Sequence, residues 1–224
     1  MKALALGCGE PVAACSACLR RRIRRSPHES VGFWFTYCRR CSTGEAIYKT
    51  FPHNPPHLFI PGCLYIVTAA TYNKMRHMQA DERKQQVIAS LHFALDKERW
   101  QLIAYSVMSN HYHAVLRAPD TGAQRLSAII NSIHRFTASQ WNKEDGTPRR
   151  QVWWNYWDTC LTSEGSFYTR INYVHWNPVK HGLVPRPELY GYSTYRLWQE
   201  QWPSALDSIE RDYPFDRVSV RDDF

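Results

Sequence analysis

The sequence has no apolar run of the roughly 18 residues that a membrane-spanning helix requires, so none of its 224 residues is expected to lie in a bilayer. It is also short of acid. Twenty Asp and Glu stand against 28 Lys and Arg, which leaves a net charge of +8 and a pI near 9.2. The cysteine count is low and odd. Four of the seven cysteines sit in two Cys-x-x-Cys pairs, which argues against a disulfide framework. A secretory leader is lacking too. Met1 to Cys8 faintly suggests a lipoprotein signal, but its apolar stretch is too short and Gly9-Glu10-Pro11 follows at once. The chain is therefore read as cytoplasmic, with no membrane contact. What it does have is a hydrophobic content of 44%, enough for a packed core and too much for bulk disorder. The length allows one sizeable domain and a small appendage.

The excess of basic charge favours a polyanionic partner, most often nucleic acid. Nine Trp and thirteen Tyr add aromatic surface that could stack on unpaired bases or simply fill a core. A basic protein with no such partner is the plainer alternative.

Residues 1–52 form a first segment. Cys15 and Cys18 are separated from Cys38 and Cys41 by nineteen residues, a spacing at which two knuckles close on one tetrahedral zinc ion. Binding as thiolates would supply much of the stability that this polar segment cannot find in a core. A redox role is disfavoured, because no βαβ pattern surrounds either pair. Arg20-Arg21-Arg22-Ile23-Arg24-Arg25 lies between the knuckles and Arg39-Arg40 lies inside the second. That charge suits phosphate contacts and equally suits a solvated loop. Phe51 to His57 is rich in proline and reads as the joint to the next domain.

The main domain spans 57–198. Leu64 to Tyr72 is rich in β-formers and predicts a strand. Asp81 to Lys97 predicts a helix, with Val87, Leu91, Ala94 and Leu95 at helical spacing. Trp100 to Met108 and His111 to Arg117 predict two strands joined at Ser109-Asn110. Ala123 to Lys143 predicts a second helix with Leu126, Ile129, Ile130, Ile133 and Trp141 as its buried stripe. Val152 to Leu161 predicts a fourth strand. A third helix starts at Thr162 or Ser163, either of which can cap it, and is expected to end near Asn177 because Pro178 follows. Residues 203–224 are charged and pattern-poor, and read as a loose tail. The order strand, helix, strand, strand, helix, strand, helix gives an α+β fold with a ferredoxin-like antiparallel sheet.

Candidate chemistry centres on His111-Tyr112-His113. On a strand, residues two apart share a face about 7 Å apart, so the two imidazoles can converge on one metal ion. A bare pair of this kind is more often structural or exposed. On the third helix Tyr173 and Asn177 are four apart and share a face. A phenol is a poor nucleophile at neutral pH, with a pKa near 10. A metal ion that polarises a phosphodiester would make attack by Tyr173 feasible. Against this, most helical tyrosines are packing residues, and Asn is ordinary at a helix end.

The motifs Asn110-His111-Tyr112-His113, Trp157-Asp158, Leu161-Thr162, Phe167-Tyr168, Tyr173-Val174-His175, Asn177-Pro178-Val179 and Gly182-Leu183-Val184 resemble the single-tyrosine HUH transposases. Among them the chain is most similar to the REP-associated tyrosine transposases, over about residues 57–198. The resemblance implies that His111, His113 and Asn177 hold Mg²⁺ or Mn²⁺. It implies that Tyr173 is the nucleophile, leaving a 5′-phosphotyrosine and a free 3′-OH on single-stranded DNA. The implied substrate is hairpin DNA from palindromic repeats. Arg135, Arg170 and Lys180 are plausible phosphate contacts by charge, though no family motif fixes them. Relatives often lack a four-cysteine module, so the zinc reading rests on spacing alone. A monomer and a homodimer are both compatible with the resemblance. Two other readings stay open: a domesticated hairpin DNA- or RNA-binding repressor that does not cut, and a metal-dependent hydrolase that uses water while Tyr173 stands by.

Overall fold

The computed structural model of the chain describes residues 47–51, 54–123 and 125–218. Cys15, Cys18, Cys38 and Cys41, the expected zinc ligands, lie outside the described residues. Strands β1 (Ile47–Phe51) and β2 (Asn54–Phe59) pair antiparallel. A joint was expected across Phe51 to His57, and residues 54–57 belong instead to β2. The ladder is irregular between Lys49 and Phe51, opposite Pro55 and Pro56, whose missing N–H groups cannot feed it.

The principal sheet holds four strands: β3 (Leu64–Thr71), β4 (Gln101–Val107), β5 (His111–Arg117) and β6 (Trp153–Leu161). Their order is β4-β5-β3-β6, and every neighbouring pair is antiparallel. Helix α1 (Asp81–Lys97) connects β3 to β4, and α2 (Leu126–Glu144) connects β5 to β6. This is the ferredoxin-like βαββαβ arrangement expected from the order of elements. After β6 come α3 (Glu164–Lys180), α4 (Tyr195–Gln201) and α5 (Pro203–Asp212).

Each face of the sheet carries its own core, because side chains alternate along each strand. On one face Tyr65, Val67, Ala69, Tyr112, Ala114 and Leu116 meet Val87, Leu91 and Leu95 of α1 and the α2 stripe of Leu126, Ile129, Ile130, Ile133 and Trp141. On the other, Leu64, Ile66 and Val115 meet Phe167, Ile171 and Val174 of α3, backed by Trp198, Leu206 and Ile209. Each fully buried aliphatic side chain contributes about 1.5–3 kcal/mol, so the second of these cores fixes α3 against the sheet firmly.

Two expectations are corrected here. Helix α3 does not stop before Pro178 but runs to Lys180 with Pro178 inside it. A proline removes one backbone donor, and at this point only the last turn depends on it. Backbone bonds from His181 to Asn177 (3.0 Å), from Gly182 to Val179 (2.9 Å) and from Leu183 to Pro178 (2.9 Å) close the end. Ser163, one of the two expected caps, starts the helix, its hydroxyl accepting from the Ser166 amide at 3.1 Å. The second correction concerns the tail. Residues 203–212 of the expected 203–224 tail form helix α5, not a loose segment, and residues 219–224 lie outside the described residues. Pro203 pre-sets its first turn, and Leu206 and Ile209, three apart, are buried in the α3-side core. Charged neighbours hide that short stripe in the sequence.

Among the described residues, no helix is long and apolar enough to cross a membrane.

Candidate active site

The site lies on the α3 face of the sheet. In β5, Tyr112 and Ala114 turn toward α1 and α2, which leaves His111 and His113 facing α3. Both imidazoles are buried. Burial without partners would be costly, and each ring nitrogen has one. Nδ1 of His113 is 2.8 Å from the hydroxyl of Thr68, its neighbour across β3. Nδ1 of His111 is 2.8 Å from Oδ1 of Asn110. The two Nε2 atoms point at α3, where Nε2 of His113 is 3.4 Å from the Tyr173 hydroxyl and Nε2 of His111 is 3.3 Å from Oδ1 of Asn177.

The helix thus delivers Tyr173 and Asn177 one turn apart to two histidines one strand step apart. The match follows from two periods. Residues two apart on a strand are about 7 Å apart, and residues four apart on a helix advance about 6 Å. His181 completes the row, two turns beyond Tyr173, with its ring centroid 4.8 Å from that of His111. It reaches the site because α3 continues through Pro178. The exposed Lys180 sets its ammonium 5.3 Å from the Tyr173 ring centroid. A small cleft opens beside His111, lined also by Arg76, Asn110 and His181.

Electrostatics favour neutral imidazole at His113. Its pKa is held well below the ordinary histidine value, first by burial and then by the positive charges of His111, His181 and Lys180. The neutral ring is the metal-binding form. The donor set also fits a cation. A neutral imidazole has a single N–H, yet amide oxygens face both nitrogens of His111. One of those oxygens then confronts a lone pair, and either a cation between them or a turn of the Asn177 amide that brings its unpartnered Nδ2 to the ring relieves the clash. The 3.3 Å from His111 Nε2 to Asn177 Oδ1 is close to the roughly 3 Å between adjacent ligands on an octahedral ion with bonds of about 2.1 Å. Among the described residues, no three His, Cys, Asp or Glu side chains gather into a metal-holding group. Any ion here would rest on two imidazoles and the Asn177 amide.

All four residues singled out for chemistry, His111, His113, Tyr173 and Asn177, therefore come together, within one chain. Of the candidate phosphate contacts, Lys180 joins the site. Arg170 lies one turn before Tyr173 on α3, half-buried, its Nε without a hydrogen-bond partner. Arg135 does not join them, because it is exposed on α2, on the opposite face of the sheet. Thr68, Asn110 and His181 were not anticipated. His181 had a signal, the i, i+4, i+8 spacing from Tyr173 through Asn177. The role of Thr68 depends on strand register, which the sequence does not display, and that of Asn110 on a side-chain contact with its own chain neighbour.

Fold and site together define an α+β protein of the ferredoxin-like kind, with a buried histidine pair met by a helical tyrosine. The chain belongs to the family of IS200-like transposases, whose model matches residues 61–175, just over half of its length. A Haemophilus influenzae protein described as a REP-associated tyrosine transposase is 21% identical over 122 residues, covering 48% of this chain and 69% of that one. A solved structure of a REP-associated tyrosine transposase bound to a REP hairpin matches with a TM-score of 0.55 at 18% identity, covering 80% of this chain and 94% of that one. At that identity the structural likeness is one of fold.

Proposed function

We propose that the chain is a metal-dependent transposase that cleaves and rejoins single-stranded hairpin DNA through a covalent bond to Tyr173. The observation that carries this reading is the convergence of Tyr173 and Asn177 on His113 and His111. Family membership supports transposase chemistry, and the fold match to a hairpin-bound transposase supports a hairpin substrate. His111, His113 and Asn177 would hold Mg²⁺ or Mn²⁺, since amide oxygen suits these harder ions. Bound there, the ion would polarise a non-bridging oxygen of the scissile phosphate.

The side chains supply the rest. Tyr173 Oη attacks phosphorus and forms a P–O bond as the bond to the 3′ oxygen breaks. The phenolic proton leaves to solvent and the departing oxygen ends as a 3′-OH. The 5′-phosphotyrosine keeps the energy of the broken diester, so a 3′-OH can attack it and restore a strand. Lys180, over the Tyr173 ring, would hold the phosphate. Packing of α3 on β5 fixes the nucleophile before substrate arrives, which is where positioning lowers the barrier. A separate structural zinc ion on Cys15, Cys18, Cys38 and Cys41 is proposed from spacing alone.

The test uses a labelled single-stranded hairpin with unpaired flanks and Mg²⁺ or Mn²⁺. Wild type should give an adduct that survives SDS. Tyr173→Phe should lose adduct and cleavage while retaining DNA binding. Its stability should fall by no more than about 1–3 kcal/mol, the cost of leaving one buried ring nitrogen of His113 unpaired. Cleavage by the Phe variant at an undiminished rate would assign the chemistry to water. Binding by wild type with no cleavage would assign a repressor role.

A further inference from the structure

The loop after β3, whose Arg76 lines the cleft at His111, sets half-buried Tyr72 against Trp154 at the start of β6. Trp154 is 53% exposed, unusual for so large an apolar side chain, and Met75 on the loop is 55% exposed. The rings of Tyr72 and Trp154 lie 5.5 Å apart at 41°, joined through a backbone bond from the Tyr72 amide to the Val152 carbonyl at 2.8 Å. Lys74 and Arg76 are exposed on the same loop, and Arg76 also lines the cleft at His111.

The loop is built rather than slack. Asn73 and Lys74 both have positive φ, 51° and 57°, which non-glycine residues adopt only where their surroundings impose it. The Thr71 hydroxyl donates to the Met75 carbonyl (2.6 Å) and to the Asn110 carbonyl (3.0 Å), and the Thr71 amide donates to that same Asn110 carbonyl (2.8 Å). Asn110 in turn contacts His111 through its side chain. One residue thus ties the loop to a histidine of the site.

We infer that Tyr72 and Trp154 form a stacking platform for an unpaired base of single-stranded DNA, with Lys74 and Arg76 holding the adjoining phosphates. This rests on the proposed function above and adds how the flank of the hairpin is held. The chemistry of the patch selects this occupant. An exposed tryptophan backed by a half-buried tyrosine offers a π-face to any base, and two cations within a few residues match a phosphate backbone. A purely apolar protein partner would leave both cations facing apolar surface. Duplex DNA hides its base faces, so the platform reads only unpaired nucleotides.

The experiment measures binding by fluorescence anisotropy of labelled oligothymidylate and of an abasic oligonucleotide of the same length. Trp154→Ala should weaken binding to oligothymidylate by roughly tenfold, the size of one lost base–aromatic stack. It should leave abasic binding unchanged, and Trp154→Phe should recover most of the loss. The double variant Lys74→Gln, Arg76→Gln should weaken binding to both oligonucleotides. Circular dichroism of Trp154→Ala should match wild type, since the ring is half in solvent. Equal binding of oligothymidylate by wild type and Trp154→Ala would overturn the platform. So would an equal loss on the abasic strand. The catalytic reading fails separately: wild type that shows the Trp154 effect but forms no Tyr173 adduct keeps the platform and loses the nucleophile.

Discussion

Thr68 and His113, on neighbouring strands and 45 positions apart, meet at 2.8 Å through the threonine hydroxyl and Nδ1 of the ring. That contact holds the imidazole in place. When Nδ1–H donates to the Thr68 hydroxyl, the lone pair sits on Nε2, the nitrogen that faces Tyr173 and α3. Thr68 is thus an acceptor for the tautomer that the proposed metal site needs.

Thr68→Val keeps the shape and removes the hydroxyl. Mn²⁺ affinity should fall by about 10- to 100-fold, the usual cost of losing an outer partner of a ligating histidine. A buried Nδ1 left unpaired should also cost about 1–3 kcal/mol of stability. Thr68→Ser should restore both. Calorimetric Mn²⁺ titration and urea unfolding of the three proteins check this, and a Val variant with wild-type Mn²⁺ affinity would show that Thr68 does not orient the ring.

Much of this arrangement is legible in the sequence. The alternation around His111 and His113 gave their shared face, and helical spacing gave that of Tyr173 and Asn177. The apolar stripes of α1 and α2 gave the layer on the opposite side. Three features were not legible, for different reasons. Pro178 reads as a stop because proline breaks helices in general. In this chain the lost bond falls in the final turn, where packing of Tyr173, Val174 and Asn177 holds the helix in place. Helix α5 buries only Leu206 and Ile209, too few to stand out among charges. Thr68 acts across strands, and a register of pairing is a tertiary fact that no local pattern encodes.

Lys180 and Arg135 differ in which face of the sheet they serve, and that difference is measurable. Lys180 lies beside Tyr173, so Lys180→Gln should remove one phosphate contact. The slope of log K against log salt should then become shallower by about 0.7–0.9, and adduct formation should slow. Arg135 lies on α2, across the sheet. Arg135→Gln should leave the rate of adduct formation at saturating DNA unchanged. A slower rate in that variant would mean that DNA reaches around the sheet to both faces during cleavage.

The core on the α1 and α2 face carries a pH dependence of its own. His134 on α2 stacks on Trp153 with ring centroids 4.3 Å apart, and its Nε2 lies 3.1 Å from the Tyr112 hydroxyl. Burial pushes its pKa from 6.5 down to about 3. The folded value is the lower one, so as pH falls the unfolded chain binds the proton first and is favoured. Stability from this residue is therefore fully present above pH 6.5 and is lost as pH falls from 6.5 toward 3. Within that window the loss should approach about 1.4 kcal/mol per pH unit. Asp145 works in a lower window. Its carboxyl is held at about 2 by hydrogen bonds from Arg83 and Arg150, so its contribution is lost only as pH falls below the ordinary 3.8. Urea unfolding above and below pH 6.5 separates the two. His134→Gln should be less stable than wild type at neutral pH, having lost the stack on Trp153, yet its stability should fall less steeply on acidification. An undiminished slope in that variant would place the acid sensitivity elsewhere in the chain.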